Sequence, residues 1–569
     1  MKITSQKGFT GLDERIKLQT SASSATVLEN LKITDGGSLT KRPEVNNVAH
    51  FDDDINCVWC GSINNTEQII VAAGGLVYRL LPSDTLATPE LIGEVGIGDC
   101  MMFEFNGFLY IKTHYTYSKY DGKRLYEVAG YIPTVAINCN ASGQGELFEQ
   151  INLLSDMRKQ LFSADGVSTN YKLAEDGADV ISVKIDGEVL REGYIFEPVQ
   201  NHINFMEAVP EGINNIEVTY QIMTAEEDRN RIMKCNKIMM FGGNSDGRAF
   251  LWGNEDYPNY RFHSELANGI PSVEYFPINS FTVIGNSKIN CIAQQYDRQL
   301  IFTKNEAYYS YCELRDDGVG NIVSSFPVYS LNGNKGCLFE TDGCNIDNRP
   351  VTLCHDGLNM WESTSVVNEK NAIYFSSPIA ESMSKILNGS LDDIIMFDFQ
   401  ANRELYFISG DTAYIYNYGN GTWYTYTNMN CEHYSLLGST LYFSHGKILH
   451  RLSDKNNPSS LPCMFKSGFI TNGHNSGRAD IIEFNADIYI RGPINITFGF
   501  ERSNENAIEQ TFNFPEGDEG YRRISFRPSI KRAMPFRLTH SAVGHGRCEL
   551  HGVTIKTRDK ERSSRYGIF

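Results

Sequence analysis

Cys57-Val58-Trp59-Cys60 has the spacing of half a zinc site or of a thiol redox pair. No second CxxC or histidine pair follows at finger spacing, and on a strand an odd separation sends the two thiols to opposite faces, so a plain strand is expected. Gly243-Asn244-Ser245-Asp246-Gly247 matches the GxSxG pattern of a nucleophile elbow, whose chemistry needs a strand, a strained turn and then a helix. Arg248-Ala249-Phe250-Leu251-Trp252 follows instead and reads as a strand, which predicts a hairpin turn. Asp342-Gly343-Cys344-Asn345-Ile346-Asp347-Asn348 offers oxygen ligands but lacks the full spacing and closing glutamate of a calcium loop. It reads as a solvated turn, as does Asp52-Asp53-Asp54. The histidines include no HExxH pair, and no GxxxxGK[ST] loop exists, so metalloprotease and phosphate-loop chemistry lose their markers. Paired carboxylates of a glycosidase leave no fixed spacing and stay open. The expectation is a protein that is not an enzyme, with no catalytic residue, metal or cofactor.

Charge offers a different kind of site. The stretch from Tyr521 to Phe569 holds 12 Lys and Arg against 3 Asp and Glu, while the whole chain carries a net charge of −18. An acidic body therefore ends in a basic segment, in which Lys556, Arg558, Lys560, Arg562 and Arg565 are the candidate partner- or DNA-contacting residues. The segment lacks interleaved stacking aromatics, which favours docking onto an acidic neighbour protein over gripping phosphates.

The elements that position such residues are strands. The 569 residues exceed one ordinary core, and 41% hydrophobic with 21% charged residues is a globular balance. Many Tyr, Phe and Gly favour short strands joined by tight turns. From Asp393 to Tyr426, four alternating runs separated by short turns fit one antiparallel sheet. Shorter copies recur at Gln68 to Leu80, Met101 to Val128, Ile238 to Trp252, Ile289 to Tyr311, Val351 to Trp361 and Tyr434 to Leu452. The predicted class is all-β, with a β-propeller core in residues 1–154 and 223–462. An inserted small β-sandwich is predicted at 155–222, where Asp186-Gly187 marks a turn, and a C-terminal β-sandwich, jelly-roll-like, at 463–569. One short helix is expected from Ser377-Pro378, carrying Ile379, Met383, Ile386 and Leu387, to Gly389. Thirteen scattered cysteines read as free packed thiols. Met1 to Thr10 lacks the apolar core of a signal peptide and no apolar run is long enough to span a membrane, so a cytoplasmic start without membrane insertion is expected.

Three stretches carry a resemblance. Gly8-Phe9-Thr10-Gly11-Leu12-Asp13 leads through Ala25-Thr26-Val27-Leu28-Glu29-Asn30 to Gly36-Gly37-Ser38-Leu39-Thr40-Lys41-Arg42-Pro43. Leu251-Trp252-Gly253-Asn254-Glu255-Asp256-Tyr257-Pro258-Asn259 leads through Ser264-Glu265-Leu266 to Tyr275-Phe276-Pro277. Asn152-Leu153-Leu154, with Phe162 and Asp165-Gly166, is the third. Together they resemble the tail nozzle and packaged-DNA stabilisation (tail tubular) proteins of tailed bacteriophages. The resemblance implies a propeller-based structural virion protein, assembled in the bacterial host cytoplasm. Its expected partners are further copies of itself in a ring, a hexamer by analogy, and adjacent tail or connector proteins. Double-stranded DNA would exit through the ring without sequence recognition, and an acidic surface suits a channel that must not hold phosphates. The competing expectations are a tail-associated host-glycan binding protein or depolymerase, and a propeller scaffold of cellular origin.

Overall fold

A computed structural model describes residues 2–19, 21–83, 85–242, 247–316, 322–363, 371–453, 457–471, 478–502, 505–528, 530–531 and 535–560. The fold is all-β, and its repeated element is the four-stranded antiparallel meander from which β-propeller blades are made. Among the described residues six sheets have this form, and a seventh meander, Ile394–Phe399, Glu404–Ser409, Thr412–Asn417 and Thr422–Tyr426, lies within a larger sheet. The turns follow the sequence: Asn106-Gly107 and Asp186-Gly187 hold φ of 48° and 78° and of 50° and 83°, the two-residue geometry that matches strand twist. The expected hairpin around the GxSxG pattern has both of its strands, Lys237–Phe241 paired with Arg248–Trp252. Residues 243–246 of the pattern lie outside the described residues.

Two compact units divide the chain, one of residues 1–74, 78–91 and 332–569, the other of 75–77 and 92–331. In the second, the meander Met101–Phe105, Phe108–Lys112, Tyr117–Tyr120, Leu125–Glu127 packs on the one that starts at Lys237–Phe241 through Tyr110, Tyr117, Leu251 and Phe262. Trp252, Ile289 and Ile301 then join that sheet to the next. The inserted module begins earlier than the predicted residue 155. Its larger sheet starts with Thr134–Cys139, whose parallel partner is Met157–Ala164, and ends with Gly212–Gln221. Its core stacks Phe162, Tyr171 and Phe205 edge to face at 5.5 and 5.6 Å.

The first unit departs from the predicted boundaries at its start. Residues 2–41, expected in the propeller, build the terminal sandwich instead. Lys2–Lys7 and Leu39–Lys41 both pair with Arg547–Lys560, and Ser24–Glu29 pairs with Cys463–Ser467. Ser24–Glu29 also bridges Glu29 to Thr425, so a blade and the sandwich share one ten-stranded sheet. The following strand, Val45–His50, completes the meander Tyr434–Leu437, Thr440–His445, Ile448–Ser453 from its outer edge. Local alternation is the same for either destination, which is why the boundary was invisible. The predicted helix is present as a 3-10 turn, Ser377–Ile379, running into Ala380–Leu387, with Met383 and Ile386 buried. A second helix, Glu226–Met233, lacks a strong apolar stripe and was missed.

Gly11 sits at φ +94°, and a Cβ there would lie 3.0 Å from both Thr422 Cβ and the Trp423 carbonyl oxygen. Gly8 is also at positive φ, +80°, but with open space around it. Urea unfolding followed by tryptophan fluorescence should therefore show Gly11→Ala losing about 2–4 kcal/mol and Gly8→Ala about 1 kcal/mol. Equal losses would remove the close approach of residue 11 to the blade.

Candidate functional site

The basic segment expected as a tail begins as a strand in the middle of a sheet. Arg547–Lys560 runs antiparallel to Arg478–Arg491, placing Lys556 opposite Glu483, Arg558 opposite Asp480 and Lys560 opposite Arg478. Lys556 Nζ is 2.9 Å from Glu483 Oε1, and the pair holds the Glu483 carboxyl below its ordinary range through hydrogen bonds from Asn485 and Lys556. Arg558 is exposed. Arg562 and Arg565 lie outside the described residues. The acidic neighbour of Lys556 is thus a strand of its own chain.

The thiol and carboxylate candidates are also accounted for by packing. Cys57 and Cys60 lie on Ile55–Ile63, Cys60 buried and Cys57 half-buried, and burial pushes the Cys60 thiol up to about 12. None of the thirteen cysteines forms a disulfide. Asp347 and Asn348 form the tight turn between Cys344–Ile346 and Arg349–Cys354. Asp52, Asp53 and Asp54 are exposed between two strands. No group of three or more His, Cys, Asp and Glu among the described residues is arranged to hold a metal ion. Asp398 is held up near 6 by burial, and its carboxylate accepts a hydrogen bond from the Tyr418 hydroxyl at 3.0 Å.

Each resemblance stretch carries buried polar pins, which sequence reasoning did not single out. Asn152 is fully buried; its amide donates to the carbonyls of Tyr131 at 2.8 Å and Glu274 at 2.9 Å and accepts from the N–H of Leu154 and Phe276. One side chain therefore ties the second stretch to the third at the base of the inserted module. Asn254 likewise donates to the carbonyls of Asn230 and Arg231, at 3.0 Å each. At the N-terminal stretch, Asn30 donates to Thr427 Oγ1 and the Pro462 carbonyl, and buried Arg42 donates to the Thr427 carbonyl while lying over the Tyr426 ring. Glu14 accepts from the backbone N–H and hydroxyl of Ser382. Cations without carboxylate partners recur: Lys112 donates to the Met233 and Cys235 carbonyls at 2.7 Å each, and burial lowers it to about 8. Arg261, lowered by burial to about 9, donates to Gln299 and to the Phe326 carbonyl and lies over the Phe250 ring at 4.8 Å. For Asn152 the one signal available was an Asn beside the apolar pair Leu153-Leu154.

No helix of the described residues is long and apolar enough to cross a membrane. No family model and no curated protein sequence matches the chain. Solved structures similar to it include PorZ, a surface component of the type-IX secretion system of Porphyromonas gingivalis, at 10% identity and TM-score 0.33. That match covers 85% of this chain and 46% of PorZ, so the chain spans less than half of that protein. YCF48 bound to a peptide is similar at 10% identity and TM-score 0.32, covering 75% of this chain and 98% of YCF48. YCF48 from Cyanidioschyzon merolae is similar at 8% identity and TM-score 0.27, over 73% and 99%. At these TM-scores the likenesses carry no argument about function.

Two outcomes follow from the pins and the buried rings. Asn152→Ala leaves the Tyr131 carbonyl and two N–H groups unpaired, while the Glu274 carbonyl keeps the Tyr131 N–H, and is expected to cost about 2–4 kcal/mol in denaturant unfolding. His540, buried against the Phe498 ring at 4.8 Å, is lowered by burial to about 4 from an unfolded value near 6.5. Its contribution is therefore fully present above pH 6.5 and is lost as pH falls through 4, about 2 kcal/mol by pH 5. His540→Phe should flatten that part of the acid limb of the stability profile, and an unchanged limb would show that this ring does not titrate on unfolding.

Proposed function

We propose that this chain is a non-catalytic structural subunit of a phage virion, part of the tail nozzle or head-to-tail conduit. Copies of it would ring the channel through which double-stranded DNA leaves, as a hexamer by analogy with the family it resembles. One observation carries the reading: residues of the resemblance stretches, Asn30, Arg42, Asn152 and Asn254 among them, serve to pin backbone rather than to present reactive groups. Such pins suit a subunit that must hold its shape under load. The charge distribution supports it too. The net charge is −18, and Lys556 is occupied by Glu483 within its own sheet, which leaves less of the tail to grip phosphates. Localisation in the virion tail belongs to the same proposal.

A second reading, a glycan-binding tail protein, is favoured by one feature. Tyr309, Tyr311 and Tyr329 form a half-exposed stacked row with ring centroids 5.3 to 6.3 Å apart, capped by the Arg298 guanidinium over Tyr309. Tyr329 and Arg315 both donate to Glu313, which lines the row with polar groups of the kind that bind sugar hydroxyls.

Negative-stain imaging of the purified protein, with labelling of intact particles, separates the two. Closed rings, and label on the tail axis, are expected. Monomers at every concentration together with label off the axis would sink the conduit. Binding to host envelope polysaccharide that Tyr311→Ala abolishes would install the glycan reading in its place.

A further inference from the structure

A cleft of about 840 Å³ opens in the first unit beside the strands Leu31–Ile33 and Leu39–Lys41. Lys32, Lys41, Arg491, His545 and Arg547 all line it, an unusual gathering of basic groups on a chain of net charge −18. The one that matters most is Lys41. Its residue is 4% exposed, its ammonium donates to the Gly544 carbonyl oxygen, and no carboxylate of the described residues makes an ion pair with it. One carbonyl answers one of three N–H donors, so the ammonium has donors left for a further acceptor. Burial lowers its pKa, as expected for a cation short of counter-charge. The flanking arginines are only partly neutralised: Arg547 pairs with Glu549, and Arg491 lies 3.9 Å from Glu519.

The geometry points to an acidic peptide segment of a partner protein as the occupant, with one of its carboxylates as the counter-ion of Lys41. The volume is in the range of sites that enclose whole ligands, far more than one small ion fills. Nucleic acid fits less well, because no Phe, Tyr or Trp of the described residues lines the cleft for bases to stack on. Glu516 and Glu549 at the wall can accept the backbone N–H groups of a peptide. The docking role that charge suggested for the C-terminal segment thus lies at the start of its strand, at Arg547, and not at Lys556. This inference does not depend on ring formation.

The test is fluorescence anisotropy of the full chain with three probes: labelled hexaglutamate, a thymidine hexanucleotide and inorganic phosphate as competitor. Hexaglutamate should bind and weaken with added salt. Lys41→Met should weaken it about tenfold, the loss of one charge-assisted hydrogen bond, and Arg491→Gln about threefold. Arg191→Ala, on the exposed surface of the inserted module, should leave binding unchanged. Because Arg491 is mostly exposed, its variant keeps the test valid if Lys41→Met fails to fold. Absent hexaglutamate binding overturns the proposal, as does binding that ignores Arg491→Gln, equal affinity for the hexanucleotide, or full displacement by phosphate at equal charge.

Discussion

Backbone that leaves a sheet and runs through packed protein carries carbonyl oxygens that water cannot reach, and each one left without a donor costs about 1–3 kcal/mol. A chain made of many short meanders has such crossings at every connection. This one answers them with long side chains rather than with more sheet: Asn152 and Asn254 at the base of the inserted module, Lys112 and Arg261 in the second unit, Asn30, Lys41 and Arg42 in the first. Burying a cation is unfavourable, and the lowered pKa values of Lys112 and Arg261 express that penalty. It is offset because one ammonium or guanidinium satisfies two acceptors and cannot be replaced by an apolar side chain without leaving both bare.

The same constraint explains how the chain ends are used. A strand edge is a row of unpaired donors and acceptors that invites the wrong neighbour. Here N-terminal strands cover edges made by strands far along the chain: Lys2–Lys7 lies along Arg547–Lys560, and Val45–His50 along Ile448–Ser453. Pairings separated by most of the chain carry a large loop-closure cost before any contact repays it. The terminal sandwich can therefore complete itself only after its last strand exists. Once complete, neither Lys2–Lys7 nor Arg547–Lys560 can peel away without opening a sheet.

Charge follows from this topology. Lys556 and Glu483 are far apart in sequence and directly opposed in the sheet, so one lysine of a basic run that looks like an external tail has its counter-ion inside the sheet. Cations are left in excess where that strand begins, around Lys41, Arg491 and Arg547, because there the acidic partners are fewer than the bases. Interaction surfaces on such a chain are defined by what the sheet register leaves unpaired.

The sequence by itself determined the class, the turns and many of the strands. Period-two alternation from Ile394 to Tyr426 and the Asp186-Gly187 turn depend only on residues a few positions apart, where local sterics and side-chain direction decide the outcome. It also marked Arg248 to Trp252 as a strand, which pairs with Lys237–Phe241. Only the tertiary structure decided which sheet each strand joins. Ser24–Glu29 reads the same whether it sits in a blade or links a blade to a sandwich, and nothing near Lys41 in the chain announces Arg491 or Arg547 beside it. The physical reason is that alternation specifies a buried face but not the neighbour that buries it; that choice belongs to long-range packing and to the register of strands hundreds of residues apart.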